Sequence, residues 1–461
     1  EADSMVQDGE RLQYRRDGNA FFVDLARPQK AGSIHKIMVY YHGKPIVARR
    51  PPWDGGVIWE KDKDGNPWVE VTCQGMGASV WFPNKDQQWD EPDSVSIHIT
   101  VPDTLLDVSN GRLRGKINNG DGTTTYNWFV SSPINNYDIT MNVGKYTHFG
   151  DVYHGLNGLL TLDYWVLPYN MDKAKAQFEQ VKSMLKCFEY WFGPYPFYKD
   201  GYKLVESYHL GMEHQSCVAY GNHYQNGYLG RDLSHTGWGL KWDFIIVHES
   251  AHEWWGNSIT SKDVADMWVH ESFANYAESL YTECLFGKKA GGEYVIGTRE
   301  NIRNDKPVVG VYGVNDEGSG DMYYKGGNML NTIRHIIDND VLWRNILRGL
   351  NKTFWHQTVT GKQIENYISA TSHRDLSRVF AQYLTTTKIP VLEYKIKGNR
   401  LSYRWSNVVP GFNMPVKVTL ANNKYRFIKP AETWKILPVH LSSPGDFKAD
   451  DNFYIELKKV D

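Results

Sequence analysis

Alternation of apolar and polar residues dominates the first ~165 positions of the chain and predicts β structure there. Two alternating runs surround Asp64-Gly65 within Val57–Cys73, and two more surround Asp121-Gly122 in "RLRGKINNGDGTTTYNWFV". An Asp-Gly pair between alternating runs is typical of a tight β-hairpin turn. Asp62 and Asp64 also resemble a fragment of a calcium-binding loop, but the remaining ligands are missing, so a hairpin turn is the better interpretation.

Helical spacing replaces the alternation after residue 170. Apolar side chains three or four positions apart mark the change, namely Phe178, Val181, Leu185, Phe188 and Phe192. This spacing predicts a helix over 172–192, which the following Gly-Pro pair ends. Helical patterns continue to about residue 383, and strand-like alternation then returns in 392–405, 416–429 and 452–460.

The order of these patterns predicts a multidomain α+β protein. We expect a β domain over residues 1–168, a mainly helical domain over 169–388 and a small β domain over 389–461. The length of 461 residues agrees with about three domains of ordinary size.

Composition and charge narrow the range of partners. The chain has 51 basic and 53 acidic residues and a formal net charge of −2, which gives no reason to expect nucleic acid or an anionic membrane as a partner. No apolar run reaches the ~18 residues that a transmembrane segment needs. The four cysteines lie far apart without a CxxC pair, so neither a disulfide framework nor a thiolate zinc site is predicted. The chain starts at Glu1 with no targeting segment before it, which favours an extracytoplasmic (periplasmic or secreted) location over a cytoplasmic one.

The stretch "HESAHEWW" contains the strongest chemical signal in the sequence. His248 and His252 lie four residues apart, and Glu249 directly follows the first. Residues i and i+4 of a helix lie one above the other, so both imidazoles can bind one ion, and neutral imidazoles suit zinc. Glu249 lies roughly 100° round the helix from His248, where it can reach an activated water without binding the metal. The motif predicts hydrolysis at a zinc site with Glu249 as general base.

Glu271 follows His252 after 18 intervening residues and is the candidate for the third metal ligand. Its surroundings, "DMWVHESFANYAESLY", have helical periodicity, with Glu271 and Glu278 on one face. A second helix packed antiparallel on the first would bring Glu271 to the metal, and Glu278 could then orient a histidine. His270 projects to another face of this helix and is predicted to be structural. Three protein ligands leave one position of a tetrahedral zinc open, as catalytic sites require.

Chance seldom produces this combination. In a chain with 16 histidines, an accidental HExxH is expected in roughly a few of every hundred sequences. A glutamate at one fixed later position makes the coincidence about twentyfold rarer. Two histidines that share a helix face without binding a metal are therefore the weaker interpretation.

HExxH with a glutamate after 18 further residues resembles the signature of gluzincin zinc aminopeptidases, the family that includes aminopeptidase N and leukotriene-A hydrolase. "LGMEH" (Leu210–His214) is similar to the family's GxMEN exopeptidase motif, "YYKG" (Tyr323–Gly326) to its YxKG motif, and residues 72–92 to a segment ending in FPC-x-DEP. The resemblance implies a saddle-like N-terminal β-sheet domain, a thermolysin-like catalytic domain and a small β-sandwich-like C-terminal domain. The resemblance is to a short form of the family, which lacks the large C-terminal helical domain of some relatives.

The resemblance also implies roles for individual residues. One zinc ion per chain would be bound by the two histidines and the later glutamate of the motif. Glu213 would bind the substrate's free α-ammonium, with Gln74 as a second contact and Gly211 and Met212 beside the substrate. Tyr323 would stabilise the oxyanion of the tetrahedral intermediate. The implied activity is zinc-dependent hydrolysis of the N-terminal peptide bond of peptides with a free amino terminus.

The chain departs from the family pattern at several positions. Leu210 replaces the first glycine of GxMEN, His214 its asparagine, and Asn84 the cysteine of FPC. These changes leave the zinc chemistry intact and make an unusual substrate possible. Two alternatives stay open, namely a catalytically idle relative that binds peptides and a zinc hydrolase of a non-peptide bond. The preferred residue and the oligomeric state cannot be predicted from the sequence.

Overall fold

The computed structural model describes residues 1–421 and 424–461. Strands occupy the chain up to residue 166, helices predominate over 171–385, and strands return from residue 391. This is the order that the hydrophobic pattern predicts for a multidomain α+β protein. One continuous hydrophobic core runs from Leu160 to Tyr454, so it crosses both predicted domain boundaries, which stay predictions. Within the described ranges, no helix combines the length and the apolar character needed to span a membrane.

The N-terminal part consists of strands in small sheets. Strands β1–β14 are Ala2–Gln7, Glu10–Arg11, Gln13–Asp17, Ala20–Asp24, Ile37–Tyr41, Gly56–Lys61, Pro67–Thr72, Val95–Pro102, Leu106–Ser109, Arg112–Asn118, Thr123–Val130, Met141–Gly144, Thr147–Gly155 and Gly158–Val166. Two sheets have the orders β6-β7-β12-β9 and β10-β11-β8. The two predicted hairpins are confirmed as the antiparallel pairs β6–β7 and β10–β11. Asp62 accepts hydrogen bonds from the backbone N–H groups of Asp64 and Asn66, as a turn residue does.

The middle part contains the helices and a few short strands. Helices α1–α9 are Met171–Gln177, Gln180–Phe192, Phe244–Ala251, Trp268–Phe286, Lys288–Gly297, Tyr324–Ile337, Asp340–Thr353, Gly361–Ser372 and Ser377–Thr385. Strands β15–β19 are Tyr202–Glu206, Gly211–Met212, Val218–Tyr220, Ile259–Ser261 and Gln357–Val359. The prediction of one helix over 172–192 is wrong at its centre, because a tighter turn separates α1 from α2. Val181 N–H there donates to Phe178 O over 3.0 Å, three residues back, and the Phe178 ring packs edge-on against Tyr220.

One five-stranded sheet positions the centre of the molecule. Its order is β13-β14-β15-β17-β16, so it joins two strands of the N-terminal part to three of the middle part. The edge strand β16 pairs antiparallel with β17, and α3 packs against both strands. Helix α4 contacts α3, and the rings of Trp255 and Phe273 stack there with their centroids 4.1 Å apart. Sheet edge, α3 and α4 therefore form one packed unit.

A disulfide bond joins Cys187 of α2 to Cys284 near the end of α4. The sequence gives no sign of this pair, because 97 positions separate the two cysteines, yet the fold brings their Cα atoms to 6.1 Å. Cys73 and Cys217 are buried free thiols. Disulfides are typical of proteins from oxidising compartments.

The C-terminal part is again built from strands. Strands β20–β25 are Val391–Lys397, Arg400–Ser406, Val416–Ala421, Lys424–Ile428, Lys435–Pro438 and Glu456–Lys459. They form a four-stranded sheet, β24-β21-β20-β25, and the pair β22-β23. The strand predicted over 452–460 begins only at Glu456, because the preceding residues pack on the helices instead. Phe453 and Tyr454 are buried, and the Tyr383 hydroxyl donates to the carbonyl oxygen of Tyr454.

Candidate metal centre and active site

Helix α3 presents the two histidines of the HExxH motif. The helix begins at the cap residue Asp243, whose side chain accepts hydrogen bonds from the N–H groups of Ile245 and Ile246. It ends at Ala251, so His252 lies at the C-cap, but with φ −63° and ψ −21° its backbone is still helical. The imidazole of His252 therefore lies one turn beyond that of His248, and their Nε2 atoms are 3.4 Å apart.

Hydrogen bonds fix the orientation of both rings. His248 Nδ1 lies 2.8 Å from Glu278 Oε1, and a carboxylate can only accept, so the ring donates from Nδ1. His252 Nδ1 in the same way donates to the carbonyl oxygen of Trp255 over 2.9 Å. Glu278 is itself held, at its other oxygen, by the Tyr294 hydroxyl over 2.6 Å. Both Nε2 lone pairs are therefore free and face one point in space.

Glu271 on α4 completes a triangle of ligand atoms. Its Oε2 lies 3.4 Å from Nε2 of His248 and 3.4 Å from Nε2 of His252. Zinc with tetrahedral ligands at about 2.0–2.1 Å holds those atoms about 3.3 Å apart. Glu271 is 4% exposed, and its Oε2 has no aligned hydrogen-bond donor among the described residues. A buried acceptor without a donor, next to two imidazole lone pairs, fits a zinc ion.

Glu249 lies next to this triangle and keeps partial exposure to the cleft. A carboxylate oxygen of Glu249, one of Glu213 and a ring nitrogen of His252 lie within 4.8 Å of one another. Gly211 leaves room for Glu249, because a Cβ at position 211 would stand 2.8 Å from Glu249 Oε1. Burial raises the pKa of Glu249 to about 7, where a carboxyl group can both take up and release a proton near neutral pH.

Glu213 leaves the sheet edge directly after β16 and lies on the His252 side of the triangle. Its Oε1 accepts hydrogen bonds from Gln74 Nε2 over 2.9 Å and from the Tyr137 hydroxyl over 2.7 Å. Its Oε2 lies 3.4 Å from His252 Nε2. The side chain of Asn257 holds the backbone, donating to the carbonyl oxygen of Glu213 over 2.8 Å. The fold thus joins Gln74 of the N-terminal part to the candidate metal centre.

Tyr323 lies on the opposite side, at the N-terminal cap of α6. Its ring stacks on that of His248, with centroids 5.8 Å apart and planes inclined by 29°. Burial, together with the carboxylates of Glu271, Glu213 and Glu249, raises the pKa of Tyr323 well above its ordinary value. The hydroxyl therefore stays protonated and can donate. A phenol on one side and a carboxylate on the other thus flank the metal position.

The residues next to Glu213 in the chain support the site without opening into the cleft. Met212 is 4% exposed and packs with Cys73 and Tyr137, so its side chain belongs to the interior. A place for Met212 beside the substrate stays a prediction. The ring of His214 is buried, and burial lowers its pKa to about 3. The histidine that replaces the family's asparagine is therefore neutral and adds no positive charge near Glu213.

Two residues near Glu213 are not identified by the sequence motifs. Tyr137 comes from a single 3₁₀ turn, Asn136–Asp138, and no pattern links it to a position 76 residues later. His270 is predicted to be structural and to project to another face of its helix than Glu271. In the structure its Nδ1 lies 3.7 Å from Glu213 Oε1, and its role stays a prediction. The signal that could have been read is its position on α4, directly beside the third candidate ligand.

A cleft of about 410 Å³ opens beside Tyr137. Its walls include Met76, Trp89 and Val314, all of which are substantially exposed. Asn315 closes one side of the cleft, because its side chain donates to the carbonyl oxygen of Gly75 over 2.8 Å. Tyr137, which donates to the Glu213 carboxylate, therefore also lines a space that is large enough for an amino-acid side chain.

Residues 176–383 match the sequence profile of the Peptidase family M1 domain. This part of the chain is similar in sequence to M1 peptidase domains. It contains α2 through most of α9, and with them Glu213, the HExxH motif, Glu271 and Tyr323. Gln74 and Tyr137 reach Glu213 from outside the matched segment.

Solved structures show the same fold over most of the chain. An M1 zinc metallopeptidase from Deinococcus radiodurans superposes with a TM-score of 0.72 at 19% identity, covering 85% of this chain and 84% of that chain. A two-domain M1 zinc metallopeptidase mutant bound to L-tryptophan gives the same TM-score and identity over 85% of each chain. The multidomain α+β architecture around the M1 domain is therefore shared with known metallopeptidases.

Curated relatives match this chain over only part of their own, much greater length. Aminopeptidase M1 of Arabidopsis thaliana is 23% identical over 391 residues, which cover 80% of this chain and 41% of that protein. Leucyl aminopeptidase of Saccharolobus solfataricus is 21% identical over 295 residues, or 61% of this chain and 37% of that protein. A probable aminopeptidase 1 of Sulfurisphaera tokodaii is 25% identical over 170 residues, which cover 34% of this chain and 22% of that protein. The chain thus spans less than half the length of these relatives.

Glu278→Gln is expected to weaken zinc binding about 10- to 100-fold, as the loss of an anion behind a metal-binding histidine does elsewhere. A glutamine oxygen can still accept from His248 Nδ1, but it carries no charge to raise the basicity of Nε2. Competition with a fluorescent chelator measures the affinity. Glu293→Gln on α5, where the glutamate side chain is 43% exposed, is the matched control and should bind zinc as the unaltered protein does. Equal affinities in all three proteins would contradict a role for Glu278.

Proposed function

We propose that the chain is a zinc-dependent aminopeptidase that hydrolyses the N-terminal peptide bond of peptides with a free amino terminus. The observation that carries the proposal is the position of Glu213 Oε2, 3.4 Å from a ring nitrogen of His252. An ammonium group bound to this carboxylate lies within one residue's reach of the metal position, so the first peptide bond is the one presented for cleavage. A carboxylate beside the metal position explains why the amino terminus of a peptide would be recognised. The metal ligands alone do not explain this.

The comparisons support the same activity. The curated relatives carry the names of aminopeptidases, among them the Arabidopsis and Saccharolobus proteins. One of the Deinococcus structures is described as a mutant M1 zinc metallopeptidase bound to a Tyr-Ser-Ala substrate. Peptides are therefore the substrate class that we propose for this chain.

His248, His252 and Glu271 would hold a single zinc ion. The second group of possible ligands in the described residues, Glu213 with Glu249 and His252, shares His252 with the first, which fits one ion and not two. Zinc bound here supplies a Lewis acid that polarises a carbonyl and acidifies water. The remaining chemistry belongs to the side chains around it.

Each of those side chains has a distinct task. Glu249 takes a proton from the attacking water and then delivers it to the leaving amine. The Tyr323 hydroxyl donates a hydrogen bond to the oxygen that becomes negative as the carbonyl carbon turns tetrahedral. Glu213 and Gln74 bind the ammonium and fix the distance between the chain end and the reacting carbonyl.

A panel of aminoacyl-p-nitroanilides, with N-acetylated counterparts as matched controls, tests the proposal. We expect cleavage of free aminoacyl substrates, loss of that cleavage with a chelator and its return with added zinc. The acetylated substrates should be refused, because an amide nitrogen offers Glu213 no positive charge. Cleavage of acetylated and free substrates at equal rates would contradict the exopeptidase assignment. No cleavage of any member by zinc-loaded protein would instead favour a peptide-binding relative without activity.

A further inference from the structure

We propose that Tyr137 and His270 are positioning residues of the amine-binding site, which hold Oε1 of Glu213 so that Oε2 alone is presented to the substrate. The inference rests on the proposed aminopeptidase function and extends it, because it assigns separate tasks to the two oxygens of one carboxylate. Neither residue would touch the substrate. Both would act by fixing the plane of the Glu213 carboxylate.

The first step concerns the number of donors on Oε1. The Tyr137 hydroxyl lies 2.7 Å and Gln74 Nε2 2.9 Å from this oxygen, and a carboxylate can only accept, so both groups donate. Oε2 lies on the other side of the carboxyl group, 3.4 Å from His252 Nε2. Two donors on Oε1 fix the carboxylate in one orientation. The amide of Gln74, turned with its nitrogen to Glu213, leaves its own oxygen as a second acceptor for an ammonium group.

Tyr137 is itself a rigid donor. The side chain of Asn135 caps its turn by accepting a hydrogen bond from Tyr137 N–H. The tyrosine is 4% exposed and packs with Met212 and Ala219 of the sheet edge that leads to Glu213. Burial raises the pKa of Tyr137 well above its ordinary value, so the phenol is protonated and donates. The ring and the carboxylate are thus fixed to the same structural element.

His270 faces the same oxygen with a proton. The backbone N–H of Ser261 donates to His270 Nε2 over 2.9 Å, so this nitrogen carries a lone pair and the proton of the neutral ring is on Nδ1. Nδ1 lies 3.7 Å from Glu213 Oε1 and finds no hydrogen-bond partner in the described part of the chain. The positive end of the N–H dipole therefore faces Oε1 and helps to hold the carboxylate in its orientation.

Gly256 keeps this contact open. A Cβ at position 256 would stand 3.3 Å both from Glu213 Oε1 and from His270 Nδ1, and the φ of +132° is one that residues with side chains rarely adopt. Glycine thus leaves the histidine and the carboxylate facing each other without a side chain between them. The loop that follows the second histidine of the motif is in this way part of the amine site.

The arrangement predicts selective recognition of a charged amine. The donors on Oε1 are neutral, so they orient the carboxylate without cancelling its charge. A ligand that lacks the ammonium leaves the buried Oε2 unpaired, which is unfavourable. Loss of a positioning donor should therefore weaken the binding of amines and leave the binding of ligands without an amine unchanged.

Tyr137→Phe tests the inference by calorimetry with L-leucinamide and with its des-amino counterpart, 4-methylpentanamide. The zinc-loaded protein also carries Glu249→Gln, so that leucinamide binds without being hydrolysed. We expect affinity for leucinamide to fall about tenfold, as the loss of a hydrogen bond to a charged group does, and affinity for the des-amino amide to stay the same. His270→Asn, with its zinc content verified, should give the same selective loss to a smaller extent. In turnover assays, both variants should raise KM more than they lower kcat.

Tyr126→Phe is the matched control. Tyr126 is about as buried, at 6% exposure, but its hydroxyl faces the carbonyl oxygen of Leu105, away from Glu213. Unchanged leucinamide affinity in Tyr137→Phe, or an equal loss for both amides, would overturn the positioning role. Equal affinity of the Glu249→Gln protein with Tyr137 intact for the two amides would overturn the amine site as well. Absence of turnover in a protein that still prefers leucinamide would contradict the proposed function but leave the positioning role standing.

Discussion

Glu249→Gln is expected to lower kcat about a thousandfold while the protein keeps its zinc. Glutamine has the same shape and fits the space that Gly211 leaves, but it can neither accept the proton of water nor deliver one to the leaving amine. Glu249 lies outside the triangle of His248, His252 and Glu271, so the ligand atoms stay where they are. A loss of this size is typical for removal of a general base.

Zinc content by mass spectrometry and kcat on the preferred anilide measure the two parts of this prediction. Glu300→Gln is a suitable control, because Glu300 is exposed and lies in a short 3₁₀ turn after α5. It should keep full activity. A Glu249→Gln protein that retains a tenth of the turnover would show that another group takes the proton.

Glu213→Gln is expected to lower kcat/KM for free aminoacyl substrates about a hundredfold. The amide still accepts a hydrogen bond, but the attraction between a buried negative charge and the ammonium is lost, and a hydrogen bond to a charged group is worth about 1.5–3 kcal/mol. Zinc binding should change little, since Glu213 Oε2 lies beside His252 and not in the triangle with Glu271.

Substrates provide the internal control for this variant. The preference for a free over an acetylated amino terminus, taken as the ratio of kcat/KM values, should fall together with the rate on free substrates. A variant that loses activity on both kinds of substrate in equal proportion would indicate damage to the metal centre. A variant in which both the rates and the ratio are unchanged would show that the ammonium is recognised elsewhere.

The parts of the site that could be predicted from the sequence are those held by local geometry. His248 and His252 face one point because a helix repeats every 3.6 residues, and the alternation of the N-terminal strands predicts two hairpins that are present. Glu271 required the resemblance to a family, because 18 residues of intervening chain do not by themselves fix where a helix packs. Its observed distance of 3.4 Å to each histidine comes from the contact between α3 and α4.

The parts that could not be predicted depend on contacts between distant segments. Gln74 meets Glu213 across 139 positions, and Tyr137 meets it across 76. Such contacts depend on how sheets and helices pack, which leaves no periodic trace in either segment. The contact between His270 and Glu213 depends in the same way on residues outside their own elements, since Ser261 of β18 fixes the ring and Gly256 leaves the space between ring and carboxylate open.

The disulfide bond between Cys187 and Cys284 closes the backbone from residue 187 to residue 284 into a covalent ring. Glu213, both histidines of the motif and Glu271 all lie on that ring. Gln74 and Tyr323 lie on the two tails outside it. A single backbone cut between residues 188 and 283 would therefore open the ring without releasing any fragment. A cut on either tail, in contrast, can detach a piece of the site, such as the segment with Gln74 or the one with Tyr323. The site therefore depends on an unbroken backbone in the two tails.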